Sequence, residues 1–285
     1  SRSLPTLSTY PYCHNPFALS SSDEPRMIVT LPLLSAPLAL AVSTVSLSKT
    51  VFFIRHGQSE GNAAGSDKDS ADPRWLDCPL TSRGITQAKS WQPHMPAWGV
   101  DAVLVSPLFR ALQTAAIIFQ NAPPRLRLRI TPSAREGWWQ DSENRGRLAA
   151  GLHTGTKTGA ADEPIGWRPL ASLPGADRIE GIESVESPTP AAWDPEDEEA
   201  FLALNPAAAE VCWIASLGRL EEEIMACEGD TLAVVCHWGV MKALLEVEAP
   251  NCGVVRSTWR MDDQTNEIKR EACEDVWVPP MDRRV

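Results

Sequence analysis

The amino-acid sequence predicts an α/β fold: a three-layer sandwich with a mostly parallel central sheet, helices on both faces and an irregular cap insert. Three observations carry this. Short, wholly apolar runs such as Val51-Phe52-Phe53-Ile54, Val103-Leu104-Val105 and Leu232-Ala233-Val234-Val235 have strand length and β-rich composition. Their lack of polar alternation suits strands covered on both faces, as in parallel sheets. Between them lie longer segments with helical signals, which is the strand–helix alternation of crossover units.

The elements follow in order. Thr50 to Arg55 is the first expected strand and Ser82 to His94 the first long helix. A strand over Asp101 to Ser106 leads to Pro107, whose fixed φ suits a first helical turn, and a helix over Leu108 to Gln120. Arg127 to Thr131 is a short strand. A long helix is expected from about Pro195 to Cys227, interrupted or not at Pro206 and closed by Gly229. Thr231 to Cys236 is a strand, Gly239 to Glu246 a helix, and Gly253 to Thr258 the last strand. Between Glu136 and Asp194, Gly, Pro, Thr and Trp break every period, and a loop of that length is expected to serve function or to lack order.

Chemistry concentrates where the apolar runs end. The first delivers Arg55-His56-Gly57-Gln58-Ser59-Glu60-Gly61-Asn62 to the sheet edge where open α/β sheets bind ligands. A guanidinium grips a phosphate with parallel hydrogen bonds, and a neutral imidazole beside it can attack phosphorus. The pair points to phosphoryl transfer through a phosphohistidine. A strand-end histidine also serves simply as a capped, hydrogen-bonded residue, so the weight rests on three further segments. These are Leu80-Thr81-Ser82-Arg83-Gly84-Ile85-Thr86-Gln87-Ala88, Ser106-Pro107-Leu108-Phe109-Arg110-Ala111-Leu112-Gln113-Thr114-Ala115, and Thr231 to Gly239, where a strand again runs into a histidine, His237.

Those four segments, in that order, resemble the histidine phosphatase superfamily, the branch that contains cofactor-dependent phosphoglycerate mutases. The resemblance spans about Lys49 to Val255 and implies the same sandwich, with the stretch after Glu136 as a cap over the site. It implies a catalytic set of His56 as nucleophile, Arg55, Arg110 and His237 holding the phosphoryl oxygens, and a glutamate donating a proton to the leaving group. Arg110 also lies in the first turn of its helix, where the N-terminus favours anions. Glu136 follows the strand at Ile130-Thr131 and matches the family's acid–base position, with Glu143 near enough in sequence to compete. Gln58, Ser59 and Asn62 either bind the phosphate or satisfy turn backbone. Trp238 departs from the family's common Gly-Gly and sets a bulky indole at the pocket edge. A small phosphorylated substrate is implied, with no metal and no other cofactor.

The resemblance leaves three functions open: a phosphatase, a mutase, and a non-catalytic binding module. Family mutases use a tyrosine and paired arginines after the glutamate. Here the only tyrosines are Tyr10 and Tyr12, and Gly137-Trp138-Trp139 follows Glu136, which favours the phosphatase. Trp138, Trp139 and Trp167 are expected to wall the pocket or to form a small satellite core.

Composition narrows the partners. A formal charge of -11 over 285 residues argues against nucleic acid. Seven cysteines without paired spacing suggest neither a disulfide scaffold nor a zinc site, and His14, His94 and His153 form no ligand pair. Residues 1–48 stand apart as a targeting or disordered extension. Met27 to Val42 is uncharged but interrupted by Pro32 and Pro37, so no stable membrane insertion is expected. The chain reads as cytoplasmic or as targeted through that extension. The expected domain covers 49–258, with the cap insert at about 137–194 and a C-terminal extension at 259–285; composition leaves the oligomeric state open.

Overall fold

A computed structural model describes residues 48–137, 141–144, 176–181, 206–262 and 264–282. Within them a seven-stranded sheet has the order β4-β3-β2-β5-β1-β6-β7. The strands are β1 (Ser48–Arg55), β2 (Ala102–Val105), β3 (Leu128–Ile130), β4 (Ile179–Glu180), β5 (Thr231–Cys236), β6 (Val254–Met261) and β7 (Ile268–Cys273). Neighbours from β4 through to β1 run parallel, and β6 and β7 complete one edge antiparallel. The helices are α1 (Glu60–Ala64), α2 (Ser82–Trp91), α3 (Phe109–Ile118), α4 (Pro206–Ala226) and α5 (Trp238–Leu245).

The apolar strands divide by parity, as a pleated sheet requires. Phe52, Ile54, Val103, Val105, Ala233 and Val235 pack with Trp91 of α2 and with Leu112 and Ile118 of α3. Val51, Phe53, Leu104, Leu232 and Val234 face Leu220 and Ile224 of α4 and Val240 and Met241 of α5. Helices therefore cover both faces, and the strands lack polar alternation because neither face meets water.

Local departures have physical causes. α2 stops at Trp91, short of His94, because Pro93 and Pro96 cannot continue it, and Met95–Trp98 forms a tighter turn. α5 begins at Trp238 and is closed by Glu246 in a left-handed conformation, φ 60°. Residues 259–285, expected as an extension, carry the end of β6 and all of β7. Trp277 bonds back to Val254 in both directions, at 2.7 and 2.9 Å. β4 pairs with β3 from within the expected cap insert.

The expected N-terminal extension lies outside the described residues apart from Ser48, and so does most of the cap, including Trp138, Trp139 and Trp167. Among the described residues no helix is long and apolar enough to cross a membrane.

Sheet topology locates the crevice. β2 passes its chain outward to β3, whereas its neighbour β5 passes its chain the other way, across β1 to β6. Loops leaving the ends of adjacent strands in opposite directions open a cleft between them, the usual ligand position in such sheets.

Candidate active site

The end of β1 is held open by a close backbone approach. A side chain at Gly84, in the first turn of α2, would place its Cβ 2.1 Å from the Gln58 carbonyl oxygen, and one at Gly57 would lie 2.7 Å from the Gly84 oxygen. Only glycine lets α2 press against this loop. Thr81 caps α2 through Gly84 N–H, and its hydroxyl reaches Gln58.

His56 is buried and its tautomer is set by two partners. Nδ1 lies 2.7 Å from the Gly57 carbonyl, so it carries the proton. Nε2 then holds a lone pair, which accepts from Arg110 Nε at 3.2 Å. Burial first, then the Arg110 and Arg55 charges, push its pKa well below 6.5. The imidazole is neutral with a free-electron nitrogen in a cationic pocket, the state a nucleophile needs.

Arg110 sits in the first turn of α3, where Asp77 accepts the Phe109 N–H at 2.8 Å. Its guanidinium also donates to the Glu143 carbonyl and, at 2.7 Å, to Asn144 Oδ1. Arg55 donates Nη1 to the Ala249 carbonyl at 2.7 Å, while its buried Nε has no partner among the described residues.

His237 comes from the end of β5, its ring centroid 5.1 Å from that of His56. Its Nε2 lies 2.7 Å from Ser106 Oγ, at the end of β2, where the two strands' chains part. Ser106 Oγ also accepts the Leu108 N–H at 3.3 Å, so the hydroxyl ties the start of α3 to His237. The other ring nitrogen, Nδ1, is buried and without a partner among the described residues. Burial, then Arg110, lower its pKa well below 6.5.

Glu136 is buried beyond β3. Oε1 accepts the Gly137 N–H at 3.0 Å and Oε2 accepts the Gly239 N–H, in the first turn of α5, at 3.1 Å. Burial raises its pKa more than these bonds and the two arginines lower it. A carboxyl whose hold on its proton is strengthened by burial, beside a phosphate pocket, suits the role of an acid. Glu143 differs: its carboxylate pairs with Lys68 at 2.9 Å, and its backbone is what meets Arg110.

The structure thus brings His56, Arg55, Arg110, His237 and Glu136 together. Beside them lies a cleft of about 560 Å³ lined by Arg55, Asn62, Lys68, Ser70, Asp141 and Asn251, among others. Of the expected binding residues, Asn62 lines this cleft. Ser59 is buried as the N-cap of α1 and bonds Asn62 N–H at 3.1 Å. Gln58 accepts from Thr81 at 3.0 Å, and neither it nor Trp238 lines the cleft. Ser59 Oγ and Gln58 Oε1 are engaged by the turns that start α1 and α2. Ser106, Asn144, Lys68 and Asn251 were not singled out by sequence; only Ser106, opening a Ser-Pro after a strand, lay inside a motif. Among the described residues no group of three His, Cys, Asp or Glu is placed to hold a metal ion.

The family model of the histidine phosphatase superfamily (branch 1) matches residues 51–153. Adenosylcobalamin/alpha-ribazole phosphatase of Escherichia coli (strain K12) is 33% identical over 95 residues, which are 33% of this chain and 43% of that enzyme. The chain therefore aligns with less than half the length of that relative. Solved structures that are similar include "Mycobacterial hydrolase 1", with TM-score 0.45 and 16% identity over 79% of this chain and 97% of that one. Another is a putative alpha-ribazole-5'-P phosphatase from Escherichia coli K-12, with TM-score 0.42 and 21% identity over 80% and 97%.

Proposed function

We propose that this chain, whose residues 51–153 match the family model of the histidine phosphatase superfamily (branch 1), is a metal-independent phosphatase hydrolysing phosphate monoesters of a small molecule through a phosphohistidine on His56. One observation carries the reading. Arg110 Nε bonds His56 Nε2, the His237 ring lies 5.1 Å from that of His56, and two buried nitrogens in this group, Arg55 Nε and His237 Nδ1, have no partner among the described residues. A buried donor such as Arg55 Nε left unpaired is costly, and a phosphoryl oxygen would satisfy it, as it would His237 Nδ1 in the tautomer that donates there.

In the first step His56 Nε2 forms the bond to phosphorus as the ester P–O bond breaks. Arg55, Arg110 and His237 stabilise charge on the three remaining oxygens, which a loose transition state spreads among them. Glu136 gives its proton to the departing alkoxide. In the second step the Glu136 carboxylate takes a proton from water, the water oxygen attacks phosphorus, and His56 leaves with phosphate as product. The arginines supply the positive charge, so no step calls on a metal. The phosphatase name of the curated relative supports water as the acceptor, as does the placement of both tyrosines before residue 13.

Hydrolysis of nitrophenyl phosphate in excess chelator tests the proposal. Turnover by the wild-type chain and its loss in His56→Ala are expected. Activity that requires added metal, or that survives His56→Ala, would overturn it.

A further inference from the structure

We propose that Asn251, in the loop between α5 and β6, is a positioning residue that, together with the Ser59 N–H, holds the Asn62 amide so that its nitrogen is offered to the phosphoryl group. The inference rests on the phosphatase reading above. Asn251 Nδ2 donates to Asn62 Oδ1 at 2.9 Å, across 189 residues of sequence. The same Asn62 oxygen accepts the Ser59 N–H at 3.3 Å, the reciprocal half of the capping box that starts α1. A carbonyl oxygen has two lone pairs, and both are used.

The orientation is not arbitrary at either end. A backbone N–H can only donate, so Ser59 fixes the Asn62 oxygen toward the loop. Asn251 Nδ2 also approaches the His56 carbonyl, a group that can only accept, at 3.5 Å, which fixes the nitrogen of Asn251. The Asn62 amide nitrogen is thereby left to donate into the cleft that Arg55, Asn62 and Asn251 line. An amide turned the other way would show a carbonyl oxygen to an anion.

The loop that carries Asn251 serves the same end elsewhere. Ala249 supplies the carbonyl that Arg55 Nη1 meets at 2.7 Å, and the Cys252 N–H bonds the His56 carbonyl at 2.9 Å. One short loop touches Arg55, His56 and Asn62. Asn251 is the member that acts through its side chain.

The test is a double-mutant cycle on the full chain, with nitrophenyl phosphate turnover, inhibition by inorganic phosphate and thermal melting as readouts. Asn251→Ala should weaken phosphate inhibition and lower kcat/KM about ten- to a hundredfold, the size of one hydrogen bond to a charged group. Asn251→Asp, nearly the same shape, should lose more, because a carboxylate repels Asn62 Oδ1 and drives the amide out of the position in which Ser59 N–H holds it. In an Asn62→Ala background, Asn251→Ala should add no further loss.

Equal losses in the Ala and Asp variants would overturn the proposal. So would losses that multiply with Asn62→Ala, or a collapse of melting in both Asn251 variants, each of which assigns Asn251 to the fold alone. A wild-type chain that turns over normally while the Asn251 variants match it removes this inference only. A wild-type chain without turnover removes the phosphatase reading as well.

Discussion

Replacing Glu136 by Gln separates chemistry from packing at the acid position. The carboxyl is buried between two backbone donors, Gly137 N–H at 3.0 Å and Gly239 N–H at 3.1 Å. Gln keeps the shape but offers one oxygen, so one of those N–H groups meets an amide nitrogen. Leaving a buried donor unmet costs about 1–3 kcal/mol, which lowers the melting temperature by roughly 2–12 °C in a domain of this size. The folded protein tolerates that. The lost proton donor matters more: positioned general acids contribute about 10²–10⁴ in rate, or ~2.7–5.4 kcal/mol. That loss should appear in full on alkyl phosphates, whose alkoxide is a poor leaving group. Nitrophenyl phosphate, whose leaving group needs little protonation, should slow by no more than about tenfold. The assay is kcat/KM for both substrate types on wild type and Glu136→Gln. Equal loss on both would refute the acid assignment and return Glu136 to a structural role.

The remaining expectations are more compact. Since His56 must be neutral to attack and Glu136 protonated to donate, kcat/KM should fall on the acid side through His56 and on the alkaline side through Glu136. The alkaline limb should be deep with an alkyl phosphate and shallow with nitrophenyl phosphate, and equal limbs would assign it elsewhere. Both buried histidines have folded pKa values depressed below 6.5, so they bind fewer protons folded than unfolded. The stability tied to their neutral forms is present above that pH and is lost as pH falls toward the folded values. Chemical denaturation should show the loss, and His237→Gln should flatten it. Gly84→Ala should lower both melting temperature and turnover, because its Cβ would fall 2.1 Å from the Gln58 oxygen and push the loop after His56. A variant with wild-type kinetics would show that the close approach is dispensable.

What sequence revealed and what it hid follow from how each feature is encoded. β1, β2 and β5 were legible because strands buried on both faces write themselves as unbroken apolar runs, and each run ends on a site residue, Arg55, Ser106 or His237. β7 was not, since Ile268–Cys273 is a mostly exposed edge strand spelled Ile-Lys-Arg-Glu-Ala-Cys. Its pairing with β6 is a tertiary fact with no apolar period to announce it. β4 has two residues and α1 five, too short for any period.

The same logic divides the site. Arg55, His56, Arg110 and His237 sit at fixed offsets from strand ends, so local pattern finds them. Asn144 and Asn251 act across loops brought together only by folding, and an isolated asparagine in a loop carries no signal of its partner. Gln58 and Ser59 stand out by adjacency to His56, and what sequence does not show is that Gln58 Oε1 and Ser59 Oγ meet the turns that start α2 and α1. Glu136 and Glu143 could not be ranked from spacing. Their partners separate them, two backbone amides and burial for one, Lys68 for the other.

Rapid quenching of the wild-type chain during turnover of a phosphate-labelled ester tests the central claim most directly. The account predicts a phosphoenzyme that is labile in acid and stable in base, with the label on Nε2 of His56 by mass spectrometry and NMR, and none in His56→Ala. A label on any other side chain, or wild-type turnover with no trapped phosphoenzyme under single-turnover conditions, would contradict it.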